Sequence, residues 1–178
     1  MGAWRSRLDA FLYSNPPYVI HFDAGDFYAD NFVLEDIYNL ISNNNLDSVR
    51  FSFRLTKNKN HLTKHDRIIT FKQRERKILY GRRSFSVLGF KYGTIWNRLT
   101  KANIFNKGLT YLDEYILNSY KNIYEDRWWN TIANNANNTY LMTDRIGYIY
   151  VREPTGEGHI RTGTEKINDK SIKEISYY

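Results

Sequence analysis

The chain has 178 residues, 42% of them hydrophobic and 16% aromatic, which is enough for one domain-sized core and too apolar for a disordered segment. It contains no cysteine, which excludes a disulfide framework and a thiolate metal site. The net charge of +7 is unevenly spread: between Arg50 and Lys107 stand 16 Lys and Arg against only Asp66 and Glu75, and the rest is net acidic. A basic middle suits nucleic acid or an anionic surface, or else forms a solvated lysine-rich insertion. No apolar run reaches the roughly 18 residues of a membrane span. The start MGAWRSRLDAF lacks the apolar stretch of a secretory signal, so the expected compartment is cytoplasmic.

In chain order, Trp4 to Tyr13 is predicted as a short helix stopped by Pro16 and Pro17 in SNPP. Tyr18-Val19-Ile20-His21-Phe22 is a short, mostly apolar strand of the kind buried inside a parallel sheet. Asp30 can cap the next helix, in which Val33, Ile37, Leu40 and Ile41 recur on one face. DSVRFSFRL alternates Val49, Phe51, Phe53 and Leu55 with polar residues, the period of a strand. Strand, acidic loop, helix, strand is a βαβ order and predicts a parallel or mixed sheet. RIITFK and KILYGRRSFSVLGF read as strands of a hairpin or excursion inside a basic insertion over 57–91. GTIWNRLTKANIF reads as a strand running through a polar turn into a short helix, and Leu112, Ile116 and Tyr120 share one face of another. YEDRWWNTIANNANN is predicted helical, with Glu125 and Asp126 in the first turn, where acids complement the helix dipole. YLMT and IGYIYVRE are two closing strands, and 156–178 is a polar tail.

The chemistry gathers in YVIHFDAGDFYADN. A buried strand ends in Asp23 and Asp26 around the small pair Ala24-Gly25, with Asp30 four residues on. In open α/β sheets, ligands lie outside the carboxyl ends of strands. Two carboxylates so placed can share a hard divalent cation that keeps waters and binds substrate phosphates. The plainer alternative is that Asp26 or Asp30 only caps a helix or makes a turn. His61 and His65 in HLTKH have the spacing of a helical zinc pair but lack the glutamate and a third ligand. His159 stands in a glycine-rich turn, and EPTGEG lacks the lysine and spacing of a phosphate loop.

Ser6-Arg7-Leu8-Asp9-Ala10, Tyr18-Val19-Ile20-His21-Phe22-Asp23-Ala24-Gly25-Asp26, GTIWNRLTKANIF and YEDRWW occur in that order. They resemble the central and C-terminal motifs of family 2 glycosyltransferases: Ala-Arg-Asn-x-Gly, Tyr-Ile-x-Phe-Leu with Asp-Ser-Asp-Asp, Trp-Asn-Lys-Leu-Tyr-Lys-x-x-Leu-Phe, and Glu-Asp-x-x-Phe. The resemblance implies an α/β fold of the GT-A type, with a Rossmann-like mixed sheet and flanking helices. It also implies a nucleotide-diphosphate sugar donor, a divalent metal (Mn or Mg), and inverting transfer to a hydroxyl of a glycan, lipid or protein acceptor. On it, Asp23 lies near the ribose or metal, Asp26 is the direct metal contact, and Arg7 holds the donor side or its phosphates. Asp126, or Glu125 beside it, is the general base for the acceptor hydroxyl. Trp96, Trp128 and Trp129 offer flat faces to the acceptor sugar.

The sequence departs from the family at Asp9, Ala10 and Gly25, the last standing where the metal motif has an aspartate. The family's opening, nucleobase-holding strands are not matched. Residues 1–155 therefore read as a partial domain missing its N-terminal nucleotide-binding strands, with impaired activity and a partner chain supplying the other half as expectations. The alternative is a non-catalytic module whose basic 50–107 segment binds nucleic acid or an anionic surface. The enzyme reading requires Asp23, Asp26 and Glu125 or Asp126 to converge. The module reading requires the basic residues to line one continuous exposed face.

Overall fold

The computed structural model describes residues 2–57, 62–72, 76–81, 93–118 and 125–152. Helix α1, Ala3–Ser14, buries Trp4, Leu8 and Phe11 at helical spacing and ends where Asn15 turns left-handed (φ 41) before the two prolines. Two short strands follow, β1 (Tyr18–Val19) and β2 (Phe27–Tyr28), and then α2 (Val33–Asn43), whose buried stripe is Val33, Ile37 and Ile41. Next come β3 (Ser48–Thr56), β4 (Arg67–Ile69), β5 (Leu79–Tyr80) and β6 (Arg98–Lys101). Helices α3 (Ala102–Leu109), α4 (Glu114–Leu117) and α5 (Glu125–Ala136) lead into β7 (Thr139–Val151).

The sheet runs β1-β6-β3-β7-β2, with β4 added to β3 and β5 to β7. At its centre β3 and β7 are parallel, from Ser48↔Tyr140 to Thr56↔Val151, while the other pairings are antiparallel. The mixed α/β sheet predicted from the βαβ order is therefore present, with helices packed on both faces.

Several elements differ from the sequence reading. The strand expected over Tyr18 to Phe22 is two residues long and pairs antiparallel with β6 (Tyr18↔Lys101) at the end of the strand order. Ile20 turns into the first core and the His21 ring packs on Trp129, so the chain leaves the ladder early. YLMT and IGYIYVRE form one strand, because register shifts around Ser52 let β7 carry extra residues without ending. The described parts of the two basic strands pair with β3 and β7 rather than with each other, and 82–92 fall outside the described residues. The helix expected through Leu112, Ile116 and Tyr120 is the single turn α4, and Tyr120 and the 156–178 tail likewise lie outside the described residues.

Two cores result. One packs α2 on the apolar face of β3, joining Ile37, Ile41, Val49, Phe51 and Phe53 with Trp96 and Tyr148. The other lies between α1, α3 and α5 and centres on Trp4, Phe11, Phe105 and Trp129. Helix α3 approaches α5 through Gly108, where a Cβ would sit 2.3 Å from Ile132 Cγ2.

The polar face of β3 is also buried, since α5 lies over it. Arg50 and its cross-strand partner Arg98 are each 6% exposed. Arg50 donates to Thr94 O (2.9 Å), Asn97 Oδ1 (2.8 Å) and Asn130 Oδ1 (2.6 Å). Arg98 donates to Asn134 Oδ1 (2.7 Å) and Ser48 Oγ (3.2 Å), and burial lowers its pKa to about 10. Cations directly opposite one another repel, so the asparagines of α5 act as neutral oxygen ligands to both.

Candidate active site

The acidic turn is built by its glycine. Asp26 N–H donates to Asp23 O at 3.2 Å, and Gly25 between them has φ +92, a conformation that side chains disfavour. Glycine thus stands where the resembling family has an aspartate because this turn needs it. The turn lies outside the carboxyl ends of β3 and β7: Asp26 Oδ1 accepts the Val151 N–H at 2.8 Å. Helix α5 runs back along the sheet, so its first turn, with Glu125 and Asp126, comes to the same end.

Arg7 ties these parts together. Its Nη2 donates to Asp23 Oδ1 at 2.7 Å, and its Nη1 donates to Glu125 Oε1 at 2.8 Å and Asp126 Oδ1 at 3.2 Å. Helix α1 thereby joins the acidic turn to the first turn of α5. Asp126, 28% exposed, has its pKa pushed up to about 7 by burial first and then by Glu125, against the pull of Arg7. Burial also raises Asp23 despite Arg7, and raises Asp26 despite the Val151 N–H and the Tyr148 hydroxyl. His21, beside the cluster, is held neutral: burial and Arg7 lower it to about 3. One guanidinium therefore faces Asp23, Glu125 and Asp126, with Asp26 beside them, and the site carries excess negative charge.

Tyr148 completes the arrangement and had no distinguishing signal in the sequence, where it is one aromatic of an alternating strand. Its ring stacks on Trp96 (4.4 Å between centroids, 14° between planes) and its hydroxyl accepts the Asp23 N–H at 3.1 Å. Burial raises the Tyr148 pKa far above its ordinary range, so the group is a neutral phenol placed between the Asp23 backbone and Asp26.

The donor set suits a hard cation. Asp26 Oδ2 is buried without a hydrogen-bond partner, and the surrounding carboxylates lack enough positive charge. Such an oxygen is stabilised by a divalent ion that fills its remaining positions with waters and phosphate oxygens. Among the described residues no group of three or more His, Asp or Glu side chains could hold a metal by itself. Asp26, with Asp23 next to it, is the pair available.

The remaining expected residues are placed as follows. Trp96 and Trp129 fill the two cores: Trp96 is covered by Tyr148, Tyr150 and Phe53, and Trp129 by Trp4, Phe11, Phe105 and His21. Their faces are taken by protein rings, leaving half-buried Trp128, edge-on to Trp4, as the tryptophan of α5 near the surface. Asp30 bonds the Phe32 N–H ahead of α2 and pairs with Arg145, a structural task. His65 is exposed in a turn, and His61 and His159 lie outside the described residues.

No family model and no curated protein matches the chain. Among solved structures it is similar to S. aureus TarS. It matches the crystal structure of TarS 1–349 with TM-score 0.56 and 14% identity, over 84% of this chain and 40% of that one. The complex of TarS 1–349 with UDP-GlcNAc gives TM-score 0.61 and 13% identity, over 98% and 44%. Its complex with UDP gives 0.56 and 13%, over 86% and 41%. The chain spans about two fifths of the length of these proteins. At such identities the likeness is one of fold: the curled mixed sheet and flanking helices of a glycosyltransferase.

Proposed function

We propose that this chain carries the catalytic centre of a metal-dependent, inverting glycosyltransferase of the family 2 type, which moves a sugar from a nucleotide diphosphate to an acceptor hydroxyl. The observation that carries the reading is the convergence of Asp23, Glu125 and Asp126 on Arg7, with Asp26 attached to the same turn. The sequence motifs assign these residues to donor, metal and base, and helices and strands far apart in the chain bring them together. TarS has been seen with UDP and UDP-GlcNAc, which supports a uridine nucleotide as the first donor to test.

In this mechanism Asp126 accepts the acceptor's hydroxyl proton as that oxygen bonds to the anomeric carbon. The bond from that carbon to the diphosphate oxygen breaks on the opposite face, and the nucleotide leaves with the electron pair. A base with a pKa near 7 is matched to this task at neutral pH. Arg7 keeps Asp126 and Glu125 oriented, and its charge lies where the donor's phosphates come to rest beside Asp23. A divalent ion, held by Asp26 with Asp23, would neutralise the departing diphosphate. Trp128 is the residue proposed to meet the acceptor.

The basic-module reading is weaker, since buried Arg50 and Arg98 interrupt any continuous exposed face. Calorimetric titration of the full chain with Mn²⁺ and UDP, alongside Asp26→Ala, tests the proposal. Manganese-dependent nucleotide binding that the variant loses supports it. Absence of binding, or binding indifferent to Asp26→Ala, refutes it for this chain.

A further inference from the structure

Three exposed cations of the basic segment, Lys57, Lys64 and Arg67, stand at the carboxyl end of β3 and on the edge that β4 adds to it. Lys57 follows β3 directly, and the antiparallel register Leu55↔Arg67 brings the turn before β4 alongside it. That turn is stiffened from within. Asp66 N–H donates to Thr63 O at 3.1 Å, and Asp66 Oδ2 accepts the Thr63 N–H at 2.9 Å, so its one acid is engaged locally. Lys57, Lys64 and Arg67 are exposed, and none forms an ion pair among the described residues. Two aliphatic side chains on the same edge face solvent, Leu62 at 40% and Ile68 at 46% exposure; among the described residues β4 pairs only with β3, so Arg67 and Ile68 flank its open edge from opposite faces. The same rim holds the acidic turn: Arg152 N–H bonds Thr56 O at 2.8 Å, one residue after Val151 binds Asp26.

We propose that this patch docks on an anionic phospholipid surface, with the cations at the headgroups and Leu62 and Ile68 in the interface, so that the rim carrying Asp26 faces the bilayer. Charge complementarity supplies attraction, and the aliphatic side chains beside the turn and on the edge strand β4 supply short-range anchoring. A nucleic acid would use the same cations but would stack on His65, the one aromatic side chain of this turn among the described residues, and would not need Ile68. The inference concerns where the protein sits and stands whether or not it transfers sugar.

The test is co-sedimentation of the full chain with sucrose-loaded vesicles of phosphatidylcholine alone or with phosphatidylglycerol. Binding is expected only to the anionic vesicles and is expected to weaken with added salt. The double variant Lys64→Glu, Arg67→Glu should bind roughly 20-fold more weakly, at about fivefold per cation. Ile68→Ser, which leaves every charge in place, should lose about threefold or more. Lys107→Glu on α3 should change binding by less than about twofold, since it reverses a charge away from the patch. Thermal unfolding of each variant establishes that it is folded, and Lys64→Gln with Arg67→Gln serves if the reversal is not. Equal binding to neutral vesicles, no binding to anionic ones, or insensitivity to both the charge and Ile68 variants overturns the proposal. So does a single-stranded oligonucleotide that binds the patch while Ile68→Ser changes nothing.

Discussion

Asp126→Asn is expected to stabilise the fold near neutral pH and to lose that advantage in acid. The native pKa of Asp126 is pushed from 3.8 to about 7, chiefly by burial. Below 3.8 the carboxyl is protonated in both native and unfolded chains and contributes no difference. Between the two values the native state holds a proton that the unfolded state releases, so stability falls as pH rises. Above about 7 the cost is fully present. At about 1.4 kcal/mol per unit, a shift of this size sets a ceiling of roughly 4 kcal/mol. Solvent reaching the 28% of the side chain that is exposed lowers it. The pull of Arg7 is already contained in this net shift, and Asp23 and Glu125 remain paired to Arg7 in the variant. A net gain of about 1–3 kcal/mol at pH 8 remains.

Urea unfolding followed by tryptophan fluorescence reads this directly, because Trp4 and Trp129 are fully buried beside the cluster. The wild type should lose stability from about pH 4 to 7, the range between the two pKa values, and the Asp126→Asn profile should be flatter. Asp23 and Asp26, also raised by burial, keep some slope in the variant. A wild-type stability that climbs from about pH 5 to 8, or a variant less stable than wild type at pH 8, would refute the reasoning that Arg7 leaves this cluster undercompensated.

The buried arginines make an opposite prediction about charge. Asn130→Leu removes an oxygen ligand of Arg50 and the donor to Asp126 O, and should cost about 3–5 kcal/mol in chemical unfolding. Asn130→Asp puts a carboxylate beside Arg50 and Arg98 but turns its second oxygen on Gly93 O, Thr94 O and Asp126 O, so it should recover only about 1–2 kcal/mol of that cost. Tyr148→Phe keeps the stack on Trp96 and deletes the hydroxyl that takes the Asp23 N–H. It should cost about 1 kcal/mol in stability and weaken Mn²⁺ binding by calorimetry several-fold. Unchanged Mn²⁺ affinity would assign Tyr148 to packing alone.

How much could be read from the sequence depended on whether a signal was local. Helix α2 was legible because its stripe repeats every three to four residues, and β3 because its alternation is strict. Strand β1 was not: five apolar residues specify burial, and whether they are buried by strand neighbours or by the ring of Trp129 is a tertiary matter. The acids were legible as candidates because their spacing matches a family pattern. Their convergence on Arg7 joins residues more than a hundred positions apart and leaves no trace in spacing. Tyr148 was invisible because a buried aromatic looks the same whether or not its hydroxyl is used. The period of β3 gave its two faces, but the burial of Arg50 depends on α5, eighty residues later, supplying Asn130 in place of an acid.

An acidic cluster with too little positive charge ordinarily relaxes by moving apart, and the packing shows why this one does not. Helix α1 is fixed by Trp4, wedged against both Trp128 and Trp129, which places Arg7 one turn further along. Helix α5 is fixed from the sheet side, where Asn130 accepts from Arg50 and donates to Gly93 O, Thr94 O and Asp126 O. The acidic turn is fixed by Gly25, by the Val151 N–H on Asp26 and by the Tyr148 hydroxyl on Asp23. Apart from the Val151 N–H, these anchors owe nothing to the carboxylates' charge, so the backbone holds, and burial first, with crowding second at Asp26 and Asp126, appears as raised pKa values. On the proposed metal site, a cation at Asp26 would meet carboxylates already held in place and would offset the cost of their burial. The same anchors explain why Asp126→Asn can gain stability: the substitution removes a buried charge and its repulsion from Glu125 and leaves every one of them in place.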